Sequence, residues 1–317
     1  MNPVRRRRDL AGARIVVVGA TSGIGRAATA QFAALRCRLL LVARDEAELA
    51  RLTARCRELG AAGVESCVAD VGRPDDVERL ERVAASAGPI TAWINLAAGL
   101  DAGDLTGLST ADLERLVATN VLGPLLLSRA ALRVLRGQAS GTLINLSSLL
   151  GVAPNPAHPV YSTSRFAVVG LTMALQRDQR NRHLDICLVL PSSVDSPIFT
   201  HAANHSGHEL RAIPPAMSPW RVAAAIVRCT RRPRRVVTVG ANARAMLIGD
   251  RLAPRLTSWM VARWSARLVV RARPAAPSSG NLHEPTPPAT VLGGYRQLGW
   301  RRAIGDRIGH ALPVDER

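Results

Sequence analysis

The stretch Ile15-Val16-Val17-Val18-Gly19-Ala20-Thr21-Ser22-Gly23-Ile24-Gly25 decides the fold. Four consecutive apolar residues, Ile15–Val18, read as a strand buried on both faces. Gly19, Gly23 and Gly25 fall where that strand must turn into a helix, and the run Arg26–Leu35 that follows is helix-capable. A glycine-rich turn feeding a helix N-terminus directs backbone N–H groups and the positive end of the helix dipole at an anion. The missing side chains let a pyrophosphate come close to the backbone. Gly19, Thr21, Ser22, Gly23, Ile24 and Gly25 are therefore candidate nucleotide contacts.

Outward from this stretch, apolar runs alternate with helical ones. Strands are expected at Arg14–Val18, Arg38–Val42, Glu65–Val68, Thr91–Asn95, Thr142–Leu146, Asp185–Leu190 and Arg235–Val239. Helices are expected at Glu46–Glu58, Pro74–Ser86, Ser109–Arg136, Tyr161–Gln176 and Ser218–Cys229. This alternation predicts an α/β fold, a doubly wound parallel sheet with right-handed crossovers and helices on both faces. Ligands in such sheets sit beyond the C-terminal ends of the strands. Those ends are Gly19, Arg44, Asp70 with Val71, and Asn95 with Ala97.

The chain has 317 residues and is 47% apolar, enough for one large domain with an appended tail. Five dispersed cysteines, Cys37, Cys56, Cys67, Cys187 and Cys229, form no CxxC pair and read as reduced thiols, which predicts a cytoplasmic setting. No apolar run behind Arg5–Arg8 resembles a secretory leader, and no uncharged apolar stretch is long enough to predict a transmembrane helix. The formal charge of +18 invites a nucleic-acid reading. Against it, the sequence holds no lysine, and all 42 basic residues are arginine. That pattern points to a compositional bias over the whole chain, because selection for a phosphate-binding surface need not avoid lysine.

The expected organisation is a basic arm over 1–12, a nucleotide-binding domain over 13–242, a basic helical C-terminal extension over 243–273, and a Pro-rich flexible linker and tail over 274–317. In the extension, Arg251, Arg255, Arg263, Arg267 and Arg271 share one helix face beside a stripe of Leu252, Leu256, Trp259, Met260, Trp264 and Leu268. Such a helix either packs on the domain with its basic face in water or makes peripheral contact with an anionic membrane surface. Both readings stand at this point. His201, His205 and His208 lie in a polar run, Ser192–His208, that reads as a mobile lid in preference to a metal site.

A dinucleotide held at Gly19–Gly25 extends its adenine half toward the second strand. Arg44, at that strand's end, is a bidentate donor suited to a 2′-phosphate, so NADP(H) is favoured over NAD(H), although Asp45 lies next to it. Asp70 is placed to accept from the adenine amino group. Near the nicotinamide end, Ser148 lies just past the fifth strand, and Tyr161 and Arg165 are four residues apart on one helix face. A tyrosine is a poor base at its ordinary pKa near 10. A cation fixed beside it favours the phenolate. Mid-helix Asn120 has poor helix propensity and reads locally as a helix-bending residue.

Together these residues resemble the classical short-chain dehydrogenase/reductase family over roughly residues 12–240. Gly19, Gly23 and Gly25 match its Gly-x-x-x-Gly-x-Gly turn, Asp70 its acidic residue, and Asn95-Leu96-Ala97-Ala98 its Asn-Asn-Ala-Gly segment. The resemblance implies a Rossmann-like fold, a catalytic set of Asn120, Ser148 and Tyr161, a carbonyl or secondary-alcohol substrate, and a homodimer or homotetramer. The family's lysine is here Arg165, in Tyr161-Ser162-Thr163-Ser164-Arg165. Leu96 replaces the second asparagine, and Ser192 replaces the glycine after Pro191. Arginine keeps the charge but not the compact ammonium or its releasable proton. Two readings stay open: an enzyme that works with arginine, and an inactive NADP(H)-binding protein acting through interaction or membrane association.

Overall fold

The computed structural model describes residues 8–240, 273–285 and 290–295, and between them 246, 248, 249, 252, 253, 255–257, 259, 260 and 263. Strand β1 (Arg14–Val18) is buried along its whole length, as the apolar run requires. It enters α1 (Gly23–Ala34) through the glycine turn. Then follow β2 (Arg38–Ala43), α2 (Glu46–Glu58), β3 (Gly63–Val68), α3 (Pro74–Ser86) and β4 (Ala92–Asn95). A two-residue strand β5 (Asp101–Ala102) precedes α4 (Thr110–Val117) and α5 (Gly123–Gly137). The remainder is β6 (Thr142–Leu146), α6 (Pro159–Arg177), β7 (Asp185–Pro191), β8 (Ala203–Asn204), α7 (Pro219–Arg231) and β9 (Val236–Val239).

Seven strands form one parallel sheet in the order β3-β2-β1-β4-β6-β7-β9. The order reverses between β1 and β4, so the carboxyl ends of these strands open a crevice. Two apolar clusters cover the faces. One joins α1, α2 and α7 to the sheet through Phe32, Leu49 and Ile226. The other joins α3 and α5 through Leu80 and Leu127 to a buried Trp93. The doubly wound α/β architecture expected from the strand–helix alternation is the one observed.

Some segments differ from expectation. The expected helix over Ser109–Arg136 is interrupted by a π-helical turn, Ala118–Leu122, with Asn120 fully buried at its centre. Residues 8–12, read as part of a basic arm, pack on the domain: Leu10 is buried, and Arg8 donates to Asp185 (2.6 Å) and Thr142 (2.6 Å). The run Ser192–His208 is not a featureless lid. It contains a helical turn, Pro197–Phe199, and β8, which pairs with β5. The Pro-rich segment expected to be a flexible linker folds back instead. Leu282 is buried against Gly99 and Leu116, and His283 Nε2 lies 2.8 Å from Asp112 Oδ1. Residues 1–7, with most of the expected Arg5–Arg8 cluster, and Arg251, Trp264, Arg267, Leu268, Arg271 and the tail beyond 295 lie outside the described residues.

Candidate active site

A cavity of about 710 Å³ runs from the glycine turn to the N-terminal part of α6. Gly19, Thr21, Ser22, Gly23, Ile24 and Gly25 line one end, with Arg44, Asp70, Val71 and Ala97 beside them; Ser148, Tyr161 and Arg165 line the other. Close packing demands two of the glycines. A Cβ on Gly25 would lie 1.9 Å from Gly19 O, and one on Gly19, at φ +83°, would lie 2.7 Å from Ala97 N. β1 and β4 thus approach where their ends form the crevice floor.

Two expected contacts lie off the cavity wall. The Asn95 side chain turns into the sheet, where its amide donates to Asn145 Oδ1 (2.8 Å) and its carbonyl accepts from Trp93 Nε1 (2.9 Å). Asn120 clamps the segment after β4: its Nδ2 donates to Gly99 O, and its Oδ1 accepts from Gly99 N, both at 2.8 Å. The π turn aims this amide at the Gly99 backbone, where a regular helix would turn it elsewhere.

The catalytic-type residues are set by α6. Pro159 opens that helix, so Tyr161 and Arg165 emerge a turn apart. Arg165 is buried, and its guanidinium carbon sits 5.0 Å from the centre of the Tyr161 ring. Its contacts to Ser164 Oγ, Leu146 O and Asn120 O are all long, at 3.5 Å. Among the described residues it has no carboxylate partner. Burial lowers its pKa, and Tyr161 opposes that shift. An interior cation so weakly held faces the cavity as an unmet donor. Ser148 accepts from Leu150 N (3.1 Å) and lies on the same wall. After β7, Ser192 Oγ and Ser193 Oγ are buried on the wall with no hydrogen-bond partner among the described residues.

Sequence reasoning did not reach Asp101 or His158. Asp101 is fully buried and accepts from the backbone N–H groups of Tyr161 (2.5 Å) and Val160 (3.3 Å), capping the first turn of α6 from 60 residues away. Burial pushes its carboxyl upward, against the two N–H groups and His158. His158 Nδ1 lies 2.6 Å from Asp101 O, and burial lowers its pKa. The local sequence gives no signal for this role: Asp101 lies between Leu100 and Ala102, three residues before a second acid, Asp104.

At the adenine end the tail intervenes. Arg44 Nη1 and Nη2 donate to the carbonyls of Leu282 (2.7 Å) and Asn281 (2.6 Å). Asp70 accepts from Arg115 and from Gly72 N (2.9 Å), and Gly23 N donates to Thr290 O (2.9 Å). Met246, Gly249, Thr257 and Met260 of the extension also reach the cavity wall. Of the expected apolar stripe, Met260 reaches the cavity wall, while Leu252 is 81% and Trp259 59% exposed. The three histidines do not converge. His201 lines the cavity, His205 Nε2 lies 3.4 Å from Asp112 Oδ2, and His208 Nδ1 lies 3.1 Å from Ser206 O. Among the described residues no group of three His, Cys, Asp or Glu could hold a metal ion, and no helix is long and apolar enough to cross a membrane.

The cavity fits a dinucleotide on these grounds: a glycine floor that excludes side chains, unmet serine hydroxyls, and a buried cation without an anion. Comparison with known proteins agrees. Residues 13–206 match the family described as short chain dehydrogenase. An uncharacterized oxidoreductase of Bacillus subtilis, YxnA, is 31% identical over 251 residues, covering 77% of this chain and 69% of its own. A short-chain dehydrogenase from Sphingobium yanoikuyae, solved with NADPH, is 25% identical at a TM-score of 0.66, over 83% of this chain and 98% of its own. One from Burkholderia phymatum, solved with NAD, is 25% identical at 0.70, over 86% and 99%.

Proposed function

We propose, from the premise that this chain belongs to the short-chain dehydrogenase family of NAD(P)(H)-binding oxidoreductases, that it is an NADP(H)-preferring reductase or dehydrogenase acting on a carbonyl or secondary alcohol. The observation that carries the reading is Arg165, a buried cation stacked on Tyr161 in the same cavity as the glycine turn. When bound, the nicotinamide supplies the hydride chemistry. Tyr161 is the acid/base: its phenol gives a proton to the developing alkoxide, or takes one from the alcohol. Ser148 holds the substrate oxygen. Arg165 holds positive charge beside the phenol and cannot itself release a proton. Asp101 and Asn120 fix the helix and the loop that carry these groups.

The 2′-phosphate preference rests on Arg44 at the end of β2. Peripheral membrane contact is supported by the exposed Leu252, Leu256 and Trp259, with the Arg263 guanidinium 5.5 Å over the Trp259 ring. A homo-oligomer is expected from the family. The decisive experiment titrates the protein with NADPH and NADH, then offers ketones and aldehydes, with Arg165→Lys run alongside. Tighter NADPH binding with turnover in the native chain supports the proposal. Binding with turnover only in the lysine variant establishes a protein that has lost its chemistry, and no nucleotide binding refutes both. Flotation with anionic vesicles tests the membrane contact, which absence of binding at both low and high salt refutes.

A further inference from the structure

One backbone carbonyl at the adenine end carries an unusual load. Leu282 O accepts from Arg44 Nη1 and from Arg115 Nε, each at 2.7 Å. The second Arg44 Nη donates to Asn281 O (2.6 Å), and the second arm of Arg115 reaches Asp70. Two guanidinium groups and one carboxylate thus leave one net positive charge, directed at neutral carbonyls. A guanidinium hydrogen-bonds a phosphate more strongly than a neutral carbonyl, because charge on both partners strengthens the bond. Burial and the Arg115 charge both lower the Arg44 pKa, which Asp70 opposes, so the pair gains from an added anion.

The segment supplying these carbonyls is fastened mainly through Asp112, which is not on the cavity wall. Ser279 donates to Asp112 Oδ2 (3.1 Å), His283 Nε2 meets Asp112 Oδ1 (2.8 Å), and Asn281 N donates to His201 O (3.0 Å). Asp112 and Arg115 are three residues apart on α4, so one helix holds both the strap and a cation beneath it. Arg115 is not on the cavity wall, and the Leu282 carbonyl lies between it and Arg44.

We propose that Arg44 and Arg115 together form the 2′-phosphate site, and that the Asn281 and Leu282 carbonyls occupy it as a placeholder that a 2′-phosphate displaces. This rests on the reading of the cavity as an NADP(H) site and adds a specificity-determining residue, Arg115, and an internal competitor. A cofactor lacking the 2′-phosphate leaves the strap in place; one bearing it exchanges two neutral acceptors for an anion.

The test uses the full chain, with adenosine 2′,5′-bisphosphate and AMP as probes, so turnover is not needed. Loss of one charge-assisted arm raises the bisphosphate Kd about tenfold or more in Arg115→Gln, with AMP unchanged within about twofold. Arg115→Lys recovers part of the loss. Amide exchange at Asn281 and Leu282 rises with the bisphosphate and not with AMP. A merely structural Arg115 would weaken both probes together, and that result overturns the proposal. So does slower exchange on bisphosphate binding, which would make the segment a lid. In either case AMP binding leaves the dinucleotide site itself intact. Failure of both probes to bind the native chain overturns that site as well.

Discussion

Substituting Gly19 with alanine tests the claim that the crevice floor is set by backbone contact. At φ +83°, alanine enters a left-handed conformation that costs about 1–2 kcal/mol. Its Cβ would lie 2.7 Å from Ala97 N, 2.9 Å from Ala97 Cα and 3.1 Å from Leu96 C. These are backbone atoms of the segment leaving β4, which pairs directly with β1, so relief requires two central strands to shift. Overpacking of this kind adds about 1–3 kcal/mol. The total, about 2–5 kcal/mol, is a large share of the roughly 5–15 kcal/mol that holds a domain folded. Gly60 is the internal control: its φ is +92°, and nothing lies within 4 Å of an added Cβ. Gly60→Ala therefore bears only the conformational cost. Urea unfolding of both variants at equal m-value separates the two contributions. Gly19→Ala exceeds Gly60→Ala by about 1–3 kcal/mol if the contact governs. Equal losses in the two variants would refute the steric account of this turn.

Arg165→Met removes the charge and leaves an unbranched apolar side chain two atoms shorter. Because the buried cation has no carboxylate partner, the variant unfolds at the same or higher urea concentration, while turnover falls by at least about a hundredfold. A loss of stability would show the guanidinium to be structural. The five cysteines are buried, and burial pushes Cys37 to about 12 and Cys56 to about 11, so an aromatic disulfide reagent at pH 8 labels none until the chain unfolds. Rapid labelling of the folded protein contradicts this. Burial alone would raise the Glu48 pKa, but hydrogen bonds from Arg51 and Arg26 hold it below its ordinary value. Its contribution is therefore present above the ordinary glutamate pKa and lost as pH falls through the lowered one. Glu48→Gln flattens the acid limb of the stability–pH curve, and an unchanged limb refutes the assignment.

What was legible in the sequence was what neighbouring residues determine. Helix α2 spans Glu46–Glu58 as expected, because Asp45 caps it by accepting from Glu48 N (2.9 Å). Helix α3 starts at Pro74 with Asp75 and Asp76 in its first turn, a pattern visible in any window. The glycine turn was equally local. Asp101 was not, since the groups it meets begin 57 residues later, at His158. Nor was the return of the tail. Proline-rich composition signals a linker, whereas one buried leucine, two backbone carbonyls and the Ser279 and His283 side chains on distant Asp112 dock it; carbonyls leave no mark in a sequence, and the Asp112 pairings lie far apart in the chain. Arg44 shows the same divide: its type and position were readable, its present partners were not. Asn95 sits at a strand end as expected, yet its side chain satisfies Trp93 and Asn145 inside the sheet.

The π turn at Ala118–Leu122 makes chain length itself a constraint. Each residue of an α-helix advances the phase by about 100°. The wider winding of the turn under-rotates by about that angle in total, so it absorbs one extra residue and leaves α4 and α5 in the phase of a regular helix one residue shorter. The row Leu127, Ala131 and Leu135 therefore stays timed to the core whether or not the extra residue is present. What the extra residue supplies is the outward step that aims Asn120 at Gly99. A single-residue deletion in these five positions is thus read at the Asn120–Gly99 clamp, with the packing of α5 kept.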